Sequence, residues 1–559
     1  MADSINESVD HEASRLLSEY SEPHDIEELN DASKSVNGTT ASRTAGKPPF
    51  RSLILVFVTI YVGMFLGSLD GTIVATLLSR IASDFNELRS VSWIATSYLI
   101  AEAAVQPLYG KFSDIFGRKP LIIVSYIFFA IGAVICGIAP SLWFLVFGRV
   151  ISGIGGGGLM TLTAVTLSDL VSLRQRGILQ GIGNMVYMLG AAFGGIVGGI
   201  LAETVGWRWT FLMQGPIAVL SIVAIHYSLH LPQKTQDSNL LGRIDFLGSS
   251  TLLIGLVMFL YSVSVGGSYF PWSSAVVVMP LTGSVIVLSI FVYIELFVAV
   301  EPVLPLSLLR VRSVLGATLT GFFMTMVYFG HLFYLAIYMQ SVRNKSATTS
   351  GSSLIPMFIG NTFGSLGCGL YMKSTGKYRF LCYAAMAGLF TGSVGLSTIG
   401  IDTPAFLAEP YLFLSGVGGG LYLTITLVGL IASVPQEYQA IVTSIQFGFR
   451  GIGSTVGVAV AAALFQNALA ARLHQRIIGP GSEEIIRLVQ DSVEEIKNIP
   501  ESYRHDVTLC YLDAIHAVFI LTAVLSIFAG LSSLLMKEHS LSDSVDRDDE
   551  DLDQEDSLA

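Results

Sequence analysis

The stretch Gly110-Lys-Phe-Ser-Asp-Ile-Phe-Gly-Arg-Lys-Pro120 lies between two apolar runs, and a weaker copy follows about 260 residues later. The copy reads Gly369-Leu-Tyr-Met-Lys-Ser-Thr-Gly-Lys-Tyr-Arg379. Both keep a glycine, six residues, a second glycine and then a cationic residue. Glycines allow a tight turn between antiparallel helices, and cations mark one edge of a membrane. The pair therefore predicts two related membrane units in one chain.

Two further sequence repeats keep nearly the same spacing. Ser152-Gly-Ile-Gly-Gly-Gly is followed by Ser415-Gly-Val-Gly-Gly-Gly, and the pair Gly190 and Gly194 is followed by Gly453 and Gly457. Three repeats at one spacing indicate that a whole unit was duplicated rather than a short motif.

The composition agrees with a membrane protein. Of the 559 residues, 52% are hydrophobic and 13% are charged, and the mean hydropathy is +0.64. A water-soluble protein of this size needs more charged surface than that. Apolar stretches of about 20 residues recur from Leu53 to Met536, which predicts roughly fourteen spans.

The repeat spacing predicts the domain organisation. Six spans with short loops need only about 200 residues, so the repeat leaves room for two more spans between the halves. We expect an all-α polytopic membrane protein with two six-helix bundles and two additional spans between them. The predicted parts are a disordered cytosolic tail (1–50), the N-terminal bundle (51–232), two linker helices (245–297), the C-terminal bundle with a lumenal loop at 470–511 (313–536) and an acidic cytosolic tail (537–559).

The distribution of cations predicts the orientation. Loops after the even-numbered spans hold most of the Lys and Arg residues, among them Lys111, Arg243 and Lys373. The positive-inside rule places these loops, and hence both termini, in the cytosol.

Ionisable residues inside membrane spans are costly and usually functional, and we single out five of those in the predicted spans. They are Asp70, Glu102, Arg149, His331 and Arg450. Because duplicated membrane units are typical of secondary transporters, we predict that these residues bind the transported substrate or carry the coupled proton. Asp70 is expected to pair with Arg149 until Asp70 is protonated, and Glu102 is expected to attract a cation or hold the proton. The alternatives are a satisfied structural ion pair for Arg149 and hydrogen-bonded packing for His331.

The sequence lacks the motifs of nucleotide-binding proteins, ATP-driven pumps and disulfide-rich proteins. Gly153, Gly155 and Gly158 match a dinucleotide-binding spacing, but they lie in an apolar span without a preceding strand, so helix packing explains them better. No phosphate-binding loop of an ATPase occurs, and the four cysteines have no paired spacing. We expect no enzyme activity, cofactor, metal site or nucleic-acid partner.

Several of these motifs resemble the major facilitator superfamily. Gly110–Pro120 is similar to its signature loop, and Leu145–Gly158 is similar to its fourth-helix motif. The run 190–199 resembles its antiporter motif but has Gly195 where proline is usual. The glycines of that antiporter-like motif are Gly190, Gly194, Gly195, Gly198 and Gly199.

The finer resemblance is to the fourteen-span drug:proton antiporter branch, through the runs 69–74 and 206–211. Within it, the chain resembles fungal vacuolar basic amino acid transporters. The resemblance implies the major facilitator fold, in which Asp70, Glu102 and Arg149 line a central cavity.

The signature loop also predicts a conformational latch at the cytosolic interface. Its members are Gly110, Asp114, Gly117, Arg118 and Lys119. Such a charge cluster can close in one conformation and open in another, whereas the simpler interpretation is a basic loop that only sets topology.

The N-terminal tail contains a sorting pattern, and one loop contains a glycosylation sequon. Glu12, Leu16 and Leu17 fit the acidic dileucine pattern by which adaptors sort cargo to the vacuole. Asn344 opens a glycosylation sequon on the lumenal side.

We therefore predict a proton-coupled antiporter of the vacuolar membrane that imports lysine, arginine or histidine. Its expected partners are a small cationic substrate, protons, the lipid bilayer and a sorting adaptor at the N-terminal tail. The alternatives are a plasma-membrane multidrug:proton exporter and a nutrient sensor with a transporter fold.

Overall fold

The computed structural model describes residues 50–85, 93–171, 173–229, 243–267, 270–345, 347–401, 403–478, 482–491, 496, 499–539 and 541. Within these ranges the regular structure is helical, which confirms the all-α prediction. The predicted sorting residues Glu12, Leu16 and Leu17 lie outside the described residues.

The N-terminal half and the linker contain nine helices in the described ranges. They are α1 (Phe50–Phe85), α2 (Trp93–Phe116), α3 (Arg118–Gly137), α4 (Leu142–Leu170), α5 (Leu173–Thr204), α6 (Arg208–Leu212), α7 (Gln214–Ser228), α8 (Phe246–Val265) and α9 (Ala275–Phe297). The short α6 and α7 follow one another as a single apolar segment.

The C-terminal half continues the series. Its helices are α10 (Arg312–Ser341), α11 (Ala347–Ser352), α12 (Ile355–Thr375), α13 (Arg379–Leu396), α14 (Ala405–Ala432), α15 (Gln439–Arg476), α16 (Ser482–Asp491) and α17 (Glu501–Ser533).

Twelve segments among the described helices are long and apolar enough to cross a membrane by length and composition. Helices α2 and α12, with 24 and 21 residues, are not among those twelve. Both carry polar residues at mid-length, Glu102 and Gln106 in α2 and Asn361 in α12. The total of fourteen spans stays a prediction.

Local sequence explains several helix ends. The Asp245 carboxylate accepts a hydrogen bond from the Gly248 amide at 2.8 Å and caps α8, and the Ser141 hydroxyl caps α4 through the Phe144 amide at 3.4 Å. Gly117 separates α2 from α3 with a φ of 86°, a conformation that strongly favours glycine. The second glycine of the signature loop therefore makes the turn.

The two halves repeat a close helix contact at the spacing of the predicted duplication. A Cβ on Gly155 of α4 would lie 2.4 Å from the Phe129 nitrogen of α3, and a Cβ on Gly418 of α14 would lie 2.5 Å from the Leu389 nitrogen of α13. Such distances leave room only for glycine, so each serine-glycine run lets α4 or α14 approach its neighbour closely. The glycines that resemble a dinucleotide motif serve helix packing.

The halves meet where α2 packs on α15 and α5 packs on α12. We call the side at which α2, α4 and α12 end the basic side, because Lys111 and Lys373 lie there. Hydrogen bonds between the halves run from Ser444 to the Pro107 carbonyl, from Arg176 to Gln439 and from Asn184 to Ser365, at 3.1, 3.0 and 2.7 Å.

One loop is shorter than predicted. The sequence suggested a loop at 470–511, but α15 continues to Arg476 and α17 already begins at Glu501. Leu469 and Leu473 continue the buried side of α15, which extends the helix. Between α15 and α17, helix α16 packs on the bundle, where Val489 is fully buried and its carbonyl accepts a hydrogen bond from the Tyr511 hydroxyl at 2.6 Å.

Candidate substrate and proton-coupling site

The N-terminal half contains a buried ion pair. Arg149 of α4 donates to the Asp70 carboxylate of α1 at 2.5 Å, and each residue is 1% exposed. The other Asp70 oxygen accepts from the Gln214 amide of α7 at 3.3 Å. The predicted pairing of Asp70 with Arg149 is therefore present, and Gln214 is a third member that the sequence did not indicate.

The guanidinium of Arg149 has further partners that hold it in place. Its Nε donates to the Ile94 carbonyl at 3.1 Å, and its Cζ lies 4.3 Å from the centre of the Tyr98 ring. A cation on an aromatic face gains about 0.5–2 kcal/mol. The guanidinium is therefore held by a carboxylate, a backbone carbonyl and an aromatic ring.

Glycines of α4 let Tyr98 approach. A Cβ on Gly156 would lie 2.3 Å from the Tyr98 hydroxyl, and one on Gly153 would lie 2.6 Å from the Tyr98 carbonyl. Any larger residue would push α2 away from Arg149. The glycine run thus contributes to the site through close packing.

Glu102 lies one helical turn after Tyr98, on the same face of α2. Its carboxylate accepts from the Gln106 amide at 3.4 Å, and the residue is partly exposed. Within the described ranges no cation pairs with it. Of the two acids, Asp70 is buried in an ion pair, whereas Glu102 is partly exposed and bonded only to an amide among the described residues.

In the C-terminal half, His331 is held by two hydroxyls. Its Nδ1 lies 2.9 Å from Ser415 of α14, and its Nε2 lies 3.0 Å from Thr522 of α17. A hydroxyl can donate or accept, so a neutral imidazole satisfies both partners. The geometry favours the packing alternative for His331 over a relay.

Arg450 of α15 is 8% exposed and binds neutral groups. It donates to the Leu423 carbonyl at 3.0 Å and to the Thr426 hydroxyl at 3.1 Å, while its Nε has no partner within hydrogen-bond distance. The structure shows no carboxylate beside it in the part of the chain that is described. Arg450 is therefore a buried cation with one unused donor, a state that costs free energy.

At the signature loop, the structure brings together some residues of the predicted conformational latch. Arg118 contacts Asp114 at 2.8 Å and Asp169 of α4 at 2.8 Å, so the sequence missed one acid of this cluster. Gly110 lies at the contact between the halves, since a Cβ there would be 2.7 Å from the Ala440 carbonyl of α15. Lys119 points elsewhere and donates to the His226 carbonyl near the end of α7 at 2.7 Å.

The antiporter-like glycines lie in different surroundings. Gly190 and Gly194 pack against α1, where added Cβ atoms would lie 2.6 Å from the Phe65 and Leu69 carbonyls. Gly199 has open space around it. Gly195 is half-buried and Gly198 is buried.

Asn361 is a candidate residue that the sequence reading did not single out. It is fully buried in α12, and neither its Oδ1 nor its Nδ2 has a hydrogen-bond partner. The spacing that separates Gly110 from Gly369 also leads from Glu102 to Asn361, so the repeat was the signal that could have found it.

The predicted glycosylation residue lies on the side opposite the basic side. Asn344 follows α10, is exposed and has a φ of 51°. Its modification stays a prediction.

Sequence comparison gives the family. The Major Facilitator Superfamily profile matches residues 60–458. The multidrug resistance protein fnx1 of Schizosaccharomyces pombe is 36% identical over 480 residues, which are 85% of this chain and 90% of that protein.

Two further relatives carry vacuolar names. The vacuolar membrane amino acid uptake transporter fnx2 of Schizosaccharomyces pombe is 34% identical, across 84% of this chain and 81% of that protein. The vacuolar basic amino acid transporter 2 of Saccharomyces cerevisiae is 30% identical, across 79% and 97%. With its all-helical fold and its buried intramembrane charges, the chain belongs to the Major Facilitator Superfamily of membrane transporters.

Proposed function

We propose that this protein is a proton-coupled antiporter that imports basic amino acids, such as lysine, arginine or histidine, into the vacuole. The relatives named for vacuolar amino acid uptake support the substrate class and the membrane. The positive-inside rule supports cytosolic termini, which makes the basic side the cytosolic side.

The observation that carries the proposal is the contrast between the two acids. Asp70 is sealed against Arg149, whereas Glu102 is partly exposed and has only an amide partner among the described residues. An antiporter needs one group that holds a proton in one half-cycle and a cation in the other. A carboxylate inside the membrane performs both tasks, and we assign them to Glu102.

The driving force is sufficient for such an exchange. A tenfold proton gradient is worth about 1.4 kcal/mol. In a one-for-one, electroneutral exchange, a difference of roughly two pH units therefore concentrates a monovalent amino acid about a hundredfold.

The test is uptake of labelled lysine and arginine by vacuolar vesicles that contain the protein. Uptake should require a running proton pump and should stop when a protonophore is added, and ATP without a gradient should not restore it. Uptake that persists after the gradient collapses would rule out proton antiport. A protein that binds lysine but gives no flux in sealed vesicles would instead be a sensor.

A second candidate function is multidrug export at the plasma membrane, which the relative named as a multidrug resistance protein favours. A fluorescent tag and a drug-tolerance assay separate the two functions. Vacuolar location that is lost when both Leu16 and Leu17 are changed to Ala would support the first. Cell-surface location with drug export and no amino acid uptake would support the second.

A further inference from the structure

A cavity of about 670 Å³ opens on the side of the N-terminal half, between α2, α4 and α8. We call it the lateral cavity and define it by Val105, Val150 and Val257, one from each helix. It lies near the starts of α2 and α4 and the end of α8, which places it in the leaflet opposite the basic side. It is separate from the ion pair of Asp70 and Arg149.

The wall of the lateral cavity is almost entirely apolar. No Lys, Arg, Asp, Glu or His side chain contributes to it, so it offers nothing to a charged amino acid. Water also fits poorly, because a buried water needs two to four polar partners and apolar cavities stay dry. An empty space of this size would forfeit packing contacts on three helices.

Aromatic residues frame the opening of the lateral cavity. Trp93 stacks on Tyr261 with ring centres 5.6 Å apart, while Trp143 and Phe270 are 57% and 44% exposed. Tryptophan and tyrosine concentrate where a membrane meets water, at the depth of lipid headgroups. The lateral cavity is thus continuous with the surface that faces lipid.

Ser97 supplies the second, independent observation. It lines the lateral cavity, is 6% exposed, and its hydroxyl has no hydrogen-bond partner. A buried unpaired hydroxyl costs free energy unless a ligand satisfies it. The ester carbonyl at the upper end of a lipid chain is an acceptor that reaches this depth together with an apolar tail.

We propose that the lateral cavity binds one acyl chain of a membrane lipid from the leaflet opposite the basic side, with the Ser97 hydroxyl donating to the lipid ester. The volume lies within the range of about 300–1,000 Å³ of small-molecule sites. Ser97 precedes Tyr98 and Val150 follows Arg149, so the bound chain supports α2 and α4 directly behind the ion pair.

The test uses the full chain in vesicles of phosphatidylcholine with a photoreactive diazirine in mid-chain. After illumination, peptide mass spectrometry should find adducts at Ala104 and Val105, which are 0% and 9% exposed and which bulk lipid does not reach. Val257→Trp fills the cavity and should lower these adducts roughly tenfold or more, because a filled cavity leaves no room for a chain.

Ile254→Trp is the matched control on α8, since Ile254 faces lipid at 51% exposure and does not line the cavity. It should leave the adducts at Ala104 and Val105 unchanged. The proposal is overturned if wild-type adducts are confined to outward residues such as Phe147, or if Val257→Trp and Ile254→Trp give the same map. If a photoreactive drug labels Val105 and excludes the lipid from the lateral cavity, the lipid proposal is overturned as well.

Discussion

The two halves share a close contact between helix backbones, but the contacting residue carries a different side chain in each half. A Cβ on Gly157 would lie 2.9 Å from the Glu102 carbonyl, and a Cβ on Gly420 would lie 2.1 Å from the Asn361 carbonyl. The same helix crossing therefore presents an acid in the N-terminal half and a neutral amide in the C-terminal half.

The ion pair shows the same contrast. The spacing from Ser152 to Ser415 leads from Arg149 to Leu412, and these two residues are 1% and 0% exposed. A buried cation in one half thus corresponds to a buried aliphatic residue in the other. Duplication kept the glycine contacts that pack the helices, while paired charge is found in the N-terminal half alone among these matched positions. The difference teaches that the scaffold and the chemistry can be separated experimentally.

The largest effect should come from breaking the ion pair. Asp70→Asn leaves the Arg149 guanidinium buried without a counter-charge, which costs about 3–5 kcal/mol. We expect lost transport and a strongly lowered thermal stability in detergent, measured by the loss of monodisperse protein on heating.

The double variant Asp70→Asn with Arg149→Met is the control for that prediction. Replacing both partners by neutral groups removes the uncompensated charge, so stability should return towards wild type while transport stays absent. Equal stability of the single variant and wild type would contradict a role for the ion pair in holding α1 against α4.

The second prediction sharpens the contrast between Glu102 and Asn361. Glu102→Gln keeps the shape and the contact with Gln106, so the protein should fold and reach its membrane. Transport should fall by about tenfold or more, and the remaining transport should lose its pH dependence. Labelled lysine uptake at several external pH values measures both.

Asn361→Leu is the matched change in the other half. It removes two unsatisfied buried polar atoms without creating a charge, so we expect an unchanged pH profile and unchanged or higher stability. A pH profile altered as much by Asn361→Leu as by Glu102→Gln would mean that the halves share the coupling.

The third prediction concerns His331, which we expect to act through packing. His331→Ala leaves the Ser415 and Thr522 hydroxyls without their ring partner, at a cost of about 1–3 kcal/mol. Thermal stability should fall, the pH profile of transport should stay, and His331→Gln should restore part of the stability. A shifted pH profile in His331→Gln would reinstate the relay.

Much of the fold could be predicted because its signals are local or repeated. Apolar runs set helix positions, and the spacing of the glycine motifs revealed the duplicated halves. The ion pair of Asp70 with Arg149 was also predictable, because a buried charge requires a partner and few candidates exist inside spans.

Other features needed the three-dimensional structure. Gln214 and Asp169 reach their sites from distant parts of the chain and share no motif with Asp70 or Arg118. The ends of α15 and α17 were misplaced because polar residues occupy their exposed faces while the buried faces continue. The lateral cavity forms where α2, α4 and α8 diverge, and the hydrophobic periodicity of a sequence does not show where helices diverge.

The smallest effect should come from the linker. Glu301 follows α9 and joins Lys111 at the end of α2 to Arg243 before α8, each at 2.9 Å. The carboxylate is partly exposed, so the two ion pairs together contribute only about 0.5–1 kcal/mol.

The hydrogen bond from Arg243, followed by that from Lys111, holds the pKa of the Glu301 carboxyl below its ordinary value. The contribution of Glu301 is therefore complete at neutral pH and is lost as the pH falls through the lowered pKa. Glu301→Gln should lower thermal stability slightly at about pH 7 and hardly at all once the pH lies below the lowered pKa, and added salt should shrink the difference at neutral pH. Glu437→Gln, at an exposed acid on the same side with no ion pair among the described residues, should change nothing at either pH. If the two substitutions behave alike, the linker is held by its apolar packing on α2 and α15 rather than by charge.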